Sequence, residues 1–257
     1  MDKSSIAGVI VALAGIIAGL LMEGGNLGQI LQPTAALIVF GGTMGAVLLQ
    51  FPLSTVIEAF RSLAHVFTAP QKQNSQLIQQ LVSLSNKARR NGVVSLDSDL
   101  ESVRDPFLRQ SLMLAVDGTE PSDLRRIMNV SLDSMIERQE RLPAVFESAG
   151  GFSPTIGILG AVLGLIQVMQ HLDNIQEVGR GIAVAFVATI YGVGIANLFF
   201  LPFAGKMRIR IHEEHQCREM MLEGVTAILE GMNPRMLEIK LAGFVEHSAS
   251  SEKERAA

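Results

Sequence analysis

Four stretches of this sequence contain no aspartate, glutamate, lysine or arginine, and their placement limits what the chain can fold into. They cover residues 4–22, 24–57, 148–172 and 181–205. Only Glu23 separates the first two, a short loop separates the last two, and a long charged block lies between the pairs. A helix that crosses the ~30 Å hydrocarbon core of a bilayer needs roughly 20 apolar residues. Each stretch is therefore long enough to span a membrane.

The pattern predicts an all-α integral membrane protein. Four transmembrane helices form two hairpins, with a helical cytoplasmic domain between spans two and three. The spans are expected at about residues 5–22, 34–51, 154–170 and 181–201. The alternative, buried core helices of a soluble domain, would leave little amphipathic surface, because the chain is 48% hydrophobic and so much of it carries no charge.

Four domains follow from this reading: an N-terminal transmembrane hairpin at 1–52, a cytoplasmic helical domain at 53–150, a C-terminal hairpin at 151–205, and a cytoplasmic helix with a disordered tail at 206–257. Prolines are expected at the first turn of spans two and three, where a missing N–H costs nothing. In the central block, Asn91-Gly92 predicts a helix end and Asp105-Pro106 a helix start. The tail is expected to be disordered from His247, because it is polar and charged.

The basic residues predict the orientation. Of 21 lysines and arginines, eleven lie between residues 61 and 141 and eight follow from Lys206 onward. Only Arg180 falls in a short loop between spans. The positive-inside rule then places both termini and the central block in the cytoplasm.

Composition argues against several functions. The net charge of −4 does not favour a nucleic-acid partner, and the single cysteine, Cys217, excludes an intramolecular disulfide. The run from His212 to His215 is not an H-E-x-x-H motif and has no further ligand cluster, so no metal site is predicted. Because no catalytic signature is present either, we expect no enzyme, no catalytic residues and no cofactor.

The last two predicted spans carry glycines and a few hydroxyls. Gly160 and Gly164 form a G-x-x-x-G pattern, which lets membrane helices approach closely, although glycine is common in such helices. Thr189 and Tyr191 lie in the middle of span four. Each hydroxyl either bonds to its own backbone or lines a wet path, and the position of the single tyrosine in mid-span, away from an interface, favours the wet path.

Charges of both signs meet in the central block. Arg89 and Arg90 close one predicted helix, and Asp97 lies just before the next. These residues are either solvated helix ends or a charged docking surface, on which modest pairs set specificity more than affinity.

The runs PTIGILGAVLGLI, AVAFVATIYGVGIANLFFLP, ARRNGVVSLD and DPFLRQSLMLAVDGTEP resemble the MotA/PomA family of flagellar stator proteins, over about the first 235 residues. The resemblance implies a proton-driven torque generator in the bacterial inner membrane. A homopentamer of this chain would surround a dimer of a single-span MotB/PomB-type partner, which supplies a membrane aspartate. The ring would turn the rotor protein FliG, with lipid around it.

The resemblance also implies roles for individual residues. Pro154 and Pro202 match the family's two prolines that bear on coupling, and Thr189 matches its channel-facing threonine; Tyr191 is placed beside it in the ion pathway. Ala161 occupies a position where sodium-driven members tend to have threonine, so the translocated ion is expected to be H⁺.

Arg89 and Asp97 match the family's basic and acidic rotor-contact positions, and Arg90 is grouped with them. The acid here is aspartate, where glutamate is usual, so its reach is one methylene shorter.

Two other functions stay open at this point. One is an ExbB/TolQ-like energiser of an outer-membrane process, although those proteins typically have three spans and an outward N-terminus. The other is a membrane scaffold that conducts no ions.

Overall fold

The computed structural model describes residues 3–68 and 74–255, and these residues form helices and no β-strand. The elements are α1 (Lys3–Met22), α2 (Leu27–Ile30), α3 (Pro33–Gln50), α4 (Leu53–Thr68), α5 (Asn74–Asn91), a 3₁₀ helix (Val93–Ser102), α6 (Pro106–Val116), α7 (Pro121–Gln170), α8 (Ile175–Ile195), a π-helical turn (Ala196–Phe200), α9 (Leu201–Leu229) and α10 (Pro234–Arg255).

The helices divide into two compact units. The first comprises residues 1–70 and 140–209, and the second comprises residues 71–139 and 210–257. The boundaries fall inside α7 and α9, so each of these long helices contributes to both units.

The second unit has its own hydrophobic core, in which large apolar side chains from five helices and the 3₁₀ helix are fully buried. Its centre includes Leu81, Leu96, Phe107, Leu108, Leu112, Leu124, Met128, Val225, Leu237 and Leu241.

Local sequence signals set the ends of the helices in this unit. The Asp105 carboxylate accepts hydrogen bonds from the N–H groups of Phe107 and Leu108 at 2.9 and 3.0 Å, so it caps α6. Gly92, at φ 82°, ends α5. Both boundaries confirm the sequence predictions.

The first unit instead exposes much of its apolar surface. Among the residues that the structure describes, three helices are long and apolar enough to cross a membrane: Pro33–Gln50, Pro121–Gln170 and Ile175–Leu229. A shorter apolar helix covers Ile6–Met22. Large apolar side chains are among the most exposed, such as Leu49 at 92% and Phe186 at 68%. Apolar surface on this scale marks contact with lipid or with other protein chains, as expected for a membrane protein.

The boundaries of the last two predicted spans differ from the structure. Pro154 does not begin a helix but lies, with Pro143, inside the 50-residue helix α7. Membrane helices tolerate interior proline because neighbouring groups satisfy the freed backbone carbonyl. α8 begins at Ile175, earlier than the predicted 181, because the Asn174 side chain accepts hydrogen bonds from the N–H groups of Gln176 and Glu177.

The C-terminal segment is also more regular than its composition indicates. The backbone of α10 is helical as far as Arg255, through residues for which the sequence predicts disorder. Leu237 and Leu241 anchor the first half of α10 in the core of the second unit. Glutamate, lysine, arginine and alanine have high intrinsic helix propensity, and this local preference favours continuation of the helix beyond them.

The core of the second unit makes a testable prediction. Replacing the buried Phe107 with alanine should destabilise this unit by about 3–5 kcal/mol, because the change leaves a cavity. Thermal unfolding of the detergent-purified protein, followed by circular dichroism, measures the loss. Val94→Ala is the control, since Val94 is 70% exposed and its truncation should change little. Equal melting temperatures for the two variants would contradict this assignment of the core.

Candidate functional site

Helices α7 and α8 approach each other through glycines. A methyl group added to Gly157 would lie 2.8 Å from the carbonyl oxygen of Ala188 and 3.1 Å from the Cα of Gly192. One added to Gly164 would lie 2.8 Å from both the Ala185 nitrogen and the Gly181 carbonyl oxygen. Because backbone meets backbone at both places, a larger residue forces the helices apart.

A buried hydroxyl joins the same two helices. Ser153, on α7, is 0% exposed, and its Oγ donates a hydrogen bond to the Gly192 carbonyl oxygen at 3.1 Å. The donor precedes Pro154, and the acceptor belongs to the glycine that packs on Gly157. This bond fixes the register of α7 against α8 beside the proline. Sequence reasoning missed it, since a lone serine in a span carries no signal of its partner.

The predicted channel residues lie on these helices and near their ends. Pro154 and Ala161 are seven residues apart on α7, which places them on one face, and both are half-buried. Thr189 is half-buried on α8, and its Oγ1 donates to the Ala185 carbonyl oxygen at 3.2 Å. Its hydroxyl therefore bonds its own helix.

Tyr191 points away from this group. Its hydroxyl donates to the Ile30 carbonyl oxygen at 2.6 Å and accepts from the Gln32 N–H at 3.4 Å. Its ring packs near Phe40 and against the small cluster formed by Ala35, Val39, Val187 and Ala188. Tyr191 thus ties α8 to the segment between α2 and α3, a structural role that the sequence did not predict.

Pro202 follows a π-helical turn. The Leu201 N–H bonds to the Ala196 carbonyl oxygen, five residues back, and Asn197 Nδ2 donates to the Val193 carbonyl oxygen at 2.9 Å. A proline in a regular α-helix clashes with the carbonyl four residues earlier and removes one donor. The wider π turn relieves this clash, and such turns frequently occur at functional sites.

The predicted charged surface lies on the second unit. Arg89 and Arg90 are exposed in the last turn of α5, and Asp97 is exposed on the 3₁₀ helix that packs against α5. Lys87 Nζ lies 2.6 Å from Asp99 Oδ2 and 2.8 Å from Ser98 Oγ. This ion pair joins the 3₁₀ helix that carries Asp97 to α5, the helix that carries the arginines.

The histidines of α9 make contacts along their own helix. His212 Nε2 lies 3.0 Å from Gln216 Nε2, and His215 Nδ1 lies 3.7 Å from a Glu219 oxygen. Each contact joins residues four apart on one helix. Neither histidine is brought to the α7–α8 contact.

The segments 148–172 and 181–205, which contain this contact, have no aspartate, glutamate, lysine or arginine. Their polar groups are hydroxyls, amides, one histidine at a rim and the backbone. These two segments can line an ion path and change their packing, but they have no carboxylate to which a proton could bind. Fold and site together define a helical membrane protein whose two closely packed apolar segments have no carboxylate of their own.

Comparisons with known proteins agree with this class. The MotA/TolQ/ExbB proton channel family matches residues 99–220, and the motility protein A N-terminal family matches residues 6–92. Motility protein A of Bacillus subtilis is 37% identical over 95% of this chain and 91% of its own length. The chain belongs to the motility protein A family.

Solved structures show the same likeness. The structure of C. jejuni MotAB matches with a TM-score of 0.89 at 30% identity, over 95% of this chain and 96% of that one. The flagellar MotAB stator complex from Bacillus subtilis matches with a TM-score of 0.86 at 34% identity, over 94% and 96%.

The glycine contact can be tested with a matched pair of variants. A Cβ added at Gly192 would clash with the Ser153 carbonyl oxygen, whereas one added at Gly194 would meet nothing within 4 Å. Gly192→Ala should therefore destabilise the first unit by about 1–3 kcal/mol, the usual range for overpacking, while Gly194→Ala should not. Thermal unfolding of the purified protein measures both. Equal effects would show that α7 and α8 are not in backbone contact.

Proposed function

We propose that this chain is the channel-wall subunit of a flagellar stator, which uses ion flow to turn the flagellar rotor. The observation that carries the proposal is the close α7–α8 contact in a wall without a carboxylate, in a member of the motility protein A family. A stator of this kind needs a second chain to carry the ion. The relatives of known structure are MotAB complexes, which supports a MotB-type partner here.

The proposed assembly is a homopentamer of this chain around a dimer of the MotB-type partner. The partner's single span would bring a membrane aspartate against α7 and α8. A ring of identical heterologous contacts closes without free interfaces, and the exposed apolar side chains of the first unit supply the surface that such contacts need.

Coupling would act through the small-residue wall. Protonation of the partner's aspartate changes its contacts with the wall near Pro154, Ala161 and Thr189. One proton crossing about 150 mV provides roughly 3.5 kcal/mol, from ~2.3 kcal/mol per 100 mV. That energy is comparable to the few kcal/mol that separate two conformations of a protein, so it is enough to bias a packed helix contact between two arrangements.

The proposed placement is multi-pass in the bacterial inner membrane. α1, α3, the C-terminal part of α7 and α8 with the π turn would form four spans, with both termini in the cytoplasm. The distribution of lysine and arginine supports this orientation, and the apolar surface of these helices supports the spans. The second unit would then lie in the cytoplasm.

The charged surface of the second unit is the proposed contact for the rotor protein FliG. Arg89, Arg90 and Asp97 are all exposed and lie on two packed elements held by the Lys87–Asp99 pair. Charges of both signs on a rigid surface favour a partner with the complementary arrangement.

Loss of motility in a complementation assay tests the channel role. Thr189→Val keeps the shape of the side chain and removes its hydroxyl, so a bacterium that depends on this chain and its native partner should swim poorly or not at all. Thr155→Val, another exchange of a hydroxyl that bonds its own helix, is the control and should swim. A merely structural threonine would tolerate the exchange, because the lost internal bond contributes only about 1 kcal/mol.

The assay also separates the competing functions, provided that both variants reach normal levels in the membrane and assemble. Normal swimming of the Thr189→Val strain would favour a scaffold that conducts no ions. Failure of the unmodified chain to restore swimming to a strain that lacks its stator subunit would contradict the stator function itself.

Charge reversal tests the rotor surface. Arg89→Glu should reduce motor torque, measured from the rotation of tethered cells. The reversed charge would repel the partner group that the arginine attracts. Arg126→Glu is the control, since Arg126 is a highly exposed arginine elsewhere on the second unit. If both reversals reduced torque equally, net charge would explain the effect and this surface would not be the contact.

The identity of the ion is tested in the same cells. Because Ala161 offers no side-chain oxygen to a sodium ion, the chain is expected to use protons. Swimming speed should then be independent of sodium concentration and fall when a protonophore is added. Strict dependence on sodium would overturn this assignment.

A further inference from the structure

An apolar groove with a volume of about 300 Å³ lies in the first unit, beside α1. One wall is the first half of α1, and the other is the π-helical turn with the start of α9. Ten residues line it: Gly8, Val9, Ala12, Leu13, Asn197, Leu198, Phe199, Pro202, Phe203 and Lys206. Its volume is at the lower end of the range for ligand pockets, about 300–1,000 Å³.

Small residues and the π turn keep this groove open. A Cβ added at Gly8 would meet nothing within 4 Å, so the space above this glycine is empty. Ala12, one turn further along α1, adds only a methyl group to the same wall. Opposite them, the π turn and Pro202 take the place of a regular helical turn.

The charge of the groove is confined to one residue. Lys206 is the one lining residue with an ionisable side chain, and it is the first charged residue after the segment 181–205. The remaining lining side chains are apolar except for Asn197. An apolar slot that ends at an ammonium group complements a molecule with an acyl chain and an anionic head group.

A lysine in this position can bind a phosphate without losing its present contacts. Lys206 already has a polar or charged partner in the structure. An ammonium group has three donors, however, so a phosphate oxygen can share it. Basic residues at the cytoplasmic membrane surface attract anionic lipids, and their apolar stems lie along apolar surface.

We propose that this groove binds an anionic phospholipid of the inner leaflet, with an acyl chain between α1 and the π turn and the phosphate at Lys206. The inference rests on the membrane orientation given under the proposed function. A bound chain contacts Phe199 and Pro202, so it stabilises the π-helical form of this turn over a regular α-helix. The lipid thereby acts on the coupling proline from the side of α1.

Native mass spectrometry of the full-length protein in a neutral detergent tests the proposal, with phosphatidylglycerol and phosphatidylcholine as probes. The unmodified protein should bind phosphatidylglycerol more tightly. Lys206→Gln should weaken phosphatidylglycerol binding about fivefold, the effect of one basic residue near a lipid surface. Lys206→Arg should restore it.

A second pair of variants tests the acyl-chain site. Gly8→Leu fills the groove and should abolish retention of phosphatidylglycerol. Gly15→Leu makes the same change on α1 at another glycine with nothing within 4 Å and outside the groove, so it should retain the lipid. Equal binding of both phospholipids, or unchanged binding in Gly8→Leu, would overturn the proposal.

A second copy of this chain is the competing occupant. If the photo-crosslinking residue p-benzoylphenylalanine, placed at position 12 instead of Ala12, formed cross-links between neighbouring copies in membranes, the groove would be covered by protein and the lipid proposal would be wrong. No such cross-link is expected. These outcomes are distinguishable from failure of the proposed function, because the complementation assay tests the unmodified chain whereas the binding measurements compare variants of the groove.

Discussion

Backbone contact between α7 and α8 is the constraint on which the first unit depends. At Gly157 and Gly192 the two helices leave no room for a side chain, and the Ser153 hydroxyl bonds across the same contact. In a bilayer, burial of apolar surface contributes little to helix association, because the lipid tails are equally apolar. Close packing and hydrogen bonds therefore hold the helices together. The contact lies beside Pro154, where α7 already lacks one backbone hydrogen bond. A closely packed helix contact, beside a point where one helix lacks a backbone hydrogen bond, is suited to two discrete arrangements.

The chain separates its charges from its apolar wall. The wall has no carboxylate, whereas the second unit carries the exposed Arg89, Arg90 and Asp97, and an ion pair between Lys87 and Asp99 joins the two elements that carry them. This separation fits a protein in which ion flow acts at one unit and force leaves from the other. The long helices α7 and α9 each contribute residues to both units.

Features that depend on local sequence could be predicted. The apolar stretches predicted the long helices, Asp105-Pro106 predicted the start of α6, and Gly92 the end of α5. Features set by distant partners could not. The Tyr191 hydroxyl donates a hydrogen bond to the Ile30 carbonyl oxygen, 161 residues away in the sequence, and no local sequence pattern predicts this contact. Pro154 predicts a helix start by its own chemistry, yet tertiary packing carries α7 through it. The π turn before Pro202 likewise reflects both the local geometry that a proline requires and the packing that continues the helix.

The central claim is that this chain forms a channel wall whose ion carrier belongs to a partner chain. Proton flux into liposomes that contain a pH-sensitive dye tests it most directly. The account predicts no flux with this chain alone, flux with the complete complex, and no flux when the carboxylate in the partner's span is replaced by asparagine. Proton flux through the chain alone, or through the complex without that carboxylate, would contradict it.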